Sequence, residues 1–138
     1  MSGADVPETA ADRYERLVAD AAHSGWIWML SHPVEQGWAT FADPRGHVVV
    51  PVWPAEELAA AMATGVWSEF RPAPVAVEDF LAHEVAGLEA DGVLIAAYPT
   101  PTRSGAAIRT SHFARALREA RPRSQQRSAR SGDCSGYA

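Results

Sequence analysis

Apolar positions change their spacing several times along this chain, and each change marks an element. Ala10, Tyr14, Leu17, Val18 and Ala21 recur at helical intervals and make one stripe, which predicts a first helix over 7–23. Pro7 suits its first position, Glu8 and Asp12 suit its N-terminal dipole, and Ser24-Gly25 ends it. Two short apolar runs, 26–30 and 38–41, flank His32-Pro33-Val34-Glu35-Gln36-Gly37 and read as a hairpin. The turn Asp43-Pro44-Arg45-Gly46 leads into the strand 48–53, so three strands are expected to form an antiparallel meander. Pro51 lacks the N–H that a central ladder uses, which places that end of the strand at an edge or a bulge.

Pro54 opens a second helix over 55–64, with Glu56 and Glu57 in its first turn, Leu58, Ala59 and Met62 facing inward, and Gly65 closing it. Pro72 and Pro74 force 69–75 into extended backbone. A third helix over 77–89 carries Phe80, Leu81, Val85 and Leu88 on one side. The strand 93–98, a 99–105 loop, a short strand 106–109 and a helix over 111–120, with Ser111 as its N-cap, complete the pattern.

The runs 48–53 and 93–98 are apolar at every position, each follows a turn, and each stops on proline. Strands apolar on both faces belong inside a sheet that other elements cover. The expected fold is therefore α+β: a single domain over 1–120, with a mainly antiparallel sheet of about five strands and about four flanking helices. Residues 121–138, rich in Arg and Ser, offer almost nothing to bury and are expected to form a disordered tail.

Charge also divides the chain, between residues 102 and 103. Residues 1–102 hold four arginines against fifteen acids, a net of −11, while residues 103–138 hold eight arginines against two acids, a net of +6. Every basic residue is arginine; lysine and asparagine are absent. An acidic body repels phosphate backbones, so nucleic acid is not an expected partner. The single cysteine, Cys134, fits a reducing compartment, and the acidic N-terminus lacks a signal-peptide pattern, so a cytoplasmic location is expected. No apolar run is long enough for a membrane span.

The ordered landmarks Trp28 with Leu30, Gly37-Trp38-Ala39, Gly46, Pro51-Val52-Trp53-Pro54, Phe80-Leu81, Leu88, Asp91-Gly92 and Tyr98-Pro99-Thr100-Pro101 with Gly105 resemble those of a bacterial family of uncharacterised proteins, domain of unknown function (DUF) 2750. The resemblance covers about residues 12–120. It implies a fold and a bacterial origin, with no activity and no catalytic residues. The layout is more distantly similar to the N-terminal domain of SseB-type proteins associated with secretion systems.

Catalytic and metal-binding patterns fail one by one. The five histidines, His23, His32, His47, His83 and His112, include no pair at the short helical spacing of a metal site, and Gly87 stands where a zinc-peptidase pattern begun by His83-Glu84 needs its second histidine. Ser111-His112 are adjacent in sequence, whereas the partners of a working dyad come from separate elements. There is no nucleophile elbow and no phosphate loop with lysine. No metal and no cofactor are expected, and catalysis is not the favoured reading.

What remains is apolar surface. Five tryptophans (Trp26, Trp28, Trp38, Trp53 and Trp67) are read mainly as core, and Trp53 and Tyr98 end the two apolar runs beside prolines. The expected function is a non-catalytic cytoplasmic module that binds a protein partner through an aromatic-proline surface of Trp53, Tyr98, Pro99, Thr100, Pro101 and Arg103, with Trp53 mostly buried and Tyr98 or the following loop as the exposed rim. A homodimer is compatible with that reading. The alternatives are an immunity-type inhibitor whose acidic body caps a basic toxin, and a small enzyme that uses the 99–105 loop.

Overall fold

The computed structural model describes residues 7–35, 37–101 and 105–121. Helix α1 (Ala10–Ser24) starts three residues after the expected position because Thr9 caps it: the Asp12 N–H donates to Thr9 Oγ1 at 3.0 Å. Gly25 ends α1 in the left-handed conformation, and its N–H donates to the Ala21 carbonyl at 2.8 Å. Arg13 turns its side chain back from α1. Only 2% exposed, it donates from Nη1 to the carbonyls of Pro7 and Glu8 and so ties down the chain before the helix.

Strand β1 (Trp26–Ser31) pairs antiparallel with β4 (Arg71–Ala76). A second sheet has the order β2 (Phe41–Ala42), β3 (Val48–Val52), β5 (Leu94–Ala97) and β6 (Ala106–Arg109). Trp28 and Trp53 exchange backbone hydrogen bonds of 2.8 and 2.9 Å, which joins β1 to the end of β3 and links the two sheets. The architecture is α+β in one body, with every strand pair antiparallel except β3 and β5.

That exception has a covalent cause. Between β3 and β5 the chain forms α2 (Glu56–Ala61), β4, and one continuous helical rod, a crossover long enough to bring β5 back in the direction of β3. The rod comprises α3 (Val77–Asp79), a π turn (Phe80–Glu84) and α4 (Val85–Ala90); the wide turn absorbs the five-residue step from Phe80 to Val85. The two runs that are apolar on both faces thus lie side by side in the middle of the sheet.

The expected three-strand meander is not formed. Residues 37–39 do fold back on β1, with the Ala39 N–H donating to the Leu30 carbonyl, but Trp53 already occupies that edge of β1 at Trp28. The chain therefore leaves β1 and pairs with β3 as the two-residue β2. Pro51 is central in β3, yet its missing donor costs no ladder bond. It shares the parity of Trp53, whose N–H points toward β1, so it faces the gap where β2 has ended and β1 has not begun. The same parity argument applies to β4. The Trp28 N–H points to β3, so Pro74 and Pro72 turn their donor-less nitrogens to the open side of β4.

Leu17 of α1 and Phe113 and Leu117 of α5 (Thr110–Ala120) cover one face of the four-stranded sheet, against Val50, Val52, Ile95 and Ala97. Phe80 meets Phe113 edge-on at 5.6 Å. Of the tryptophans, Trp53 is fully buried, Trp28, Trp38 and Trp67 are half-buried against the core, and Trp26 is 48% exposed.

Ser111 is not the cap of the last helix. Helix α5 begins one residue earlier, its Thr110 hydroxyl donates to the Val93 carbonyl, and the Ser111 N–H donates to Glu89 Oε2 of α4 at 2.6 Å. A carboxylate from another element satisfies this N-terminal donor better than a local hydroxyl does. Glu89→Ala is expected to lower stability by about 1 kcal/mol and Ser111→Ala by a few tenths at most, as checked by urea unfolding of the two variants.

Most of the expected tail, from residue 122 onward and including Cys134, lies outside the described residues. Arg121, counted with it, belongs to the body: Nη2 donates to Glu78 Oε2 at 3.0 Å. No helix among the described residues is long and apolar enough to cross a membrane.

Candidate functional site

The two strand–proline runs meet at one end of the sheet. The Tyr98 N–H donates to the Val52 carbonyl at 2.9 Å, and the Trp53 indole N–H donates to the Pro99 carbonyl at 2.8 Å. Trp53, Tyr98 and Pro99 therefore meet at one corner of the sheet. Its character is structural: Trp53 is 0% and Tyr98 3% exposed, and Pro99 is buried. Burial pushes the Tyr98 phenol above its ordinary range, with Arg16 and Arg13 pulling against it and Asp20 and Glu57 adding to it. Tyr98 does not supply the rim; the following loop does, through half-buried Thr100 and exposed Pro101. Arg103 lies outside the described residues.

Tyr98 has φ +55°, the only described non-glycine residue with positive φ. Such a residue needs its surroundings to hold it. Here Val52 fixes its N–H and Trp53 fixes the next carbonyl, so the β5–β6 loop leaves the sheet at a set angle.

The loop returns at Gly105 beside a cleft that the sequence did not disclose. Pairing places Phe41, Val49 and Leu94 in one cross-strand row and Ala96 beside Ala107 in the next, all on the face opposite the helices. These five residues floor a cavity of about 320 Å³. Val49 and Ala96 are as buried as core residues, at 1% and 2% exposure, although they belong to the other side of the sheet. Trp67 leans on Phe41 with ring centres 5.8 Å apart. Every described lining residue comes from a strand or a connecting turn.

The rim is the β2–β3 turn. Asp43 Oδ1 accepts the N–H groups of Arg45 (2.9 Å) and His47 (2.8 Å), and Oδ2 lies 3.3 Å from His47 Nδ1. Gly46, at φ +88°, lets the turn close back on the Asp43 carbonyl. Desolvation opposes ionisation of Asp43, but the His47 and Arg45 hydrogen bonds outweigh it and hold the carboxyl below its usual range. Since a carboxylate only accepts, His47 Nδ1 is the donor and Nε2 is left for another group.

A lowered folded-state value means that Asp43 adds stability above the unfolded carboxyl range and that this is lost as pH falls through the folded value. Thermal melts of the native chain and of Asp43→Asn should differ most near neutral pH and converge in acid. A gap that widens in acid would contradict the assignment.

The remaining candidates do not assemble into a catalytic group. His112 stacks on Tyr14 at 6.1 Å, the Ser111 N–H is held by Glu89, and His32 Nδ1 accepts from the Val34 and Glu35 N–H groups. Among the described residues no three His, Cys, Asp or Glu side chains are grouped to hold a metal ion.

A family model described as "Protein of unknown function (DUF2750)" matches residues 14–117. No curated protein and no solved structure matches the chain. The match spans well over half of the sequence, and the chain belongs to that family.

Proposed function

We propose that this member of the DUF2750 family is a non-catalytic binding module of the cytoplasm that takes its ligand in the cleft on the outer face of its four-stranded sheet. The carrying observation is the cavity of about 320 Å³ floored by Phe41, Val49, Leu94, Ala96 and Ala107, with no helical residue in its described lining. The cleft combines an apolar floor with polar groups on one rim, the composition that small-molecule sites share. The described lining includes an imidazole oriented by a carboxylate, a fixed polar group of the kind that orients a bound ligand.

The aromatic-proline corner is the frame of this site. Trp53 and Tyr98 set the course of the loop that returns at Gly105, and Thr100 and Pro101 are the parts of the corner left for a partner. In a fragment screen followed by amide NMR, hits should shift the amides of 41–49, 94–96 and 107. Hits confined to 98–101, or scattered over the helices, would overturn the assignment of the cleft.

A further inference from the structure

We infer that the cleft selects a small ligand with an apolar body and a carboxylate, held between Arg45 and His47; this rests on the reading of the cleft as the binding site. Its volume, about 320 Å³, lies at the lower end of the range for pockets that take small molecules, so the ligand is of metabolite size. Phe41, Val49, Leu94 and the two alanines present no side-chain donor or acceptor, so the inserted part must be apolar.

The polar handle follows from what the rim has left over. Asp43 has already committed both oxygens to its own turn: two backbone N–H groups on Oδ1 and the imidazole on Oδ2. It is a fixed anion with little acceptor capacity to offer. Arg45 is different. Asp43 and Gly46 build the turn, which asks nothing of the side chain at 45, and the Arg45 guanidinium has no hydrogen bond or ion pair among the described residues. A free guanidinium beside an apolar floor matches a carboxylate, which it can grip with two parallel N–H groups. His47 stands two residues on, its ring held by Asp43 and its Nε2 unengaged among the described residues. That nitrogen accepts from the ligand when the ring is neutral and donates to it when the ring is protonated.

The net −11 of residues 1–102 does not prevent this. At physiological salt the fields of exposed charges fade beyond about 8 Å, so the rim's own charges count most, and of these Asp43 is engaged by its turn while the Arg45 guanidinium is open to a ligand.

Four probes test the proposal by amide NMR titration: benzoate, hexanoate, and their neutral counterparts benzyl alcohol and 1-hexanol. Each carboxylate is expected to bind at least tenfold more tightly than its alcohol, with shifts at 41–49, 94–96 and 107. Arg45→Gln should remove that advantage while leaving the alcohols' affinity within about twofold, and Arg45→Lys should restore part of it. Ala107→Trp, on exposed β6, should fill the cleft and abolish binding of all four. Equal affinity for carboxylate and alcohol, or an advantage that survives Arg45→Gln, overturns the carboxylate inference and leaves the cleft as a site. Failure of all four probes to shift the cleft amides, or binding unaffected by Ala107→Trp in a variant with native amide spectra, overturns the site itself.

Discussion

Trp53→Ala is expected to leave little or no folded protein at 37 °C. The indole is fully buried at the junction of both sheets, and large-to-small changes at such positions cost about 3–5 kcal/mol. The change also strips the Pro99 carbonyl of its buried donor, which adds about 1–3 kcal/mol. A domain whose whole stability is about 5–15 kcal/mol does not absorb that sum easily. Trp53→Phe separates the two parts: most of the ring is kept and the N–H is lost, so its deficit should be well under that of the alanine variant. Urea unfolding followed by circular dichroism measures both. A Trp53→Ala chain within 1 kcal/mol of the native one would show that the corner is not structural.

The second large effect is expected at Gly105. Its φ is +83°, and a Cβ there would stand 2.7 Å from the Ala97 carbonyl oxygen and 3.2 Å from the Pro99 nitrogen, all backbone atoms that cannot rotate away. Gly46 is the internal control, with φ +88° and open space around its position. Gly46→Ala should therefore cost only the left-handed backbone, about 1–2 kcal/mol. Gly105→Ala should cost about 1–3 kcal/mol more, because the loop must move to make room and the alternative is strain. Thermal melts of the pair decide the matter, and equal losses would mean that the loop yields without resistance. Amide spectra of Gly105→Ala should show shifts at Ala96 and Ala107, since the loop borders the cleft.

Where local chemistry governs, the sequence was readable. Gly25 and the Asp43–Gly46 turn end and join elements through conformations only a few residue types adopt, and both appear as expected. The runs ending at Trp53 and Tyr98 were legible as interior strands because no polar residue interrupts them, and their meeting at one corner follows from the pairing of β3 with β5. What was not legible depends on competition between distant segments. Trp53 takes the edge of β1 that the hairpin would have used, and nothing near Trp28 announces this. Glu89 caps a helix 22 residues away, so a search for local caps settles on Ser111. The cleft draws on β2, β3, β5 and β6 at once. The apolar pattern of 48–53 and 93–98 led to the expectation that other elements cover both faces of the sheet, whereas the second face carries the cleft.

The proline pattern of β4 also governs how copies of this chain can associate. Through the Trp28–Trp53 link, β1 and β4 continue the four-stranded sheet past the end of β3, with β4 outermost. At the β4 margin Pro72 and Pro74 withhold the donors an incoming strand would need. Strand addition at this margin would leave an incoming chain's carbonyls without partners, so copies of this chain cannot join edge to edge through β4.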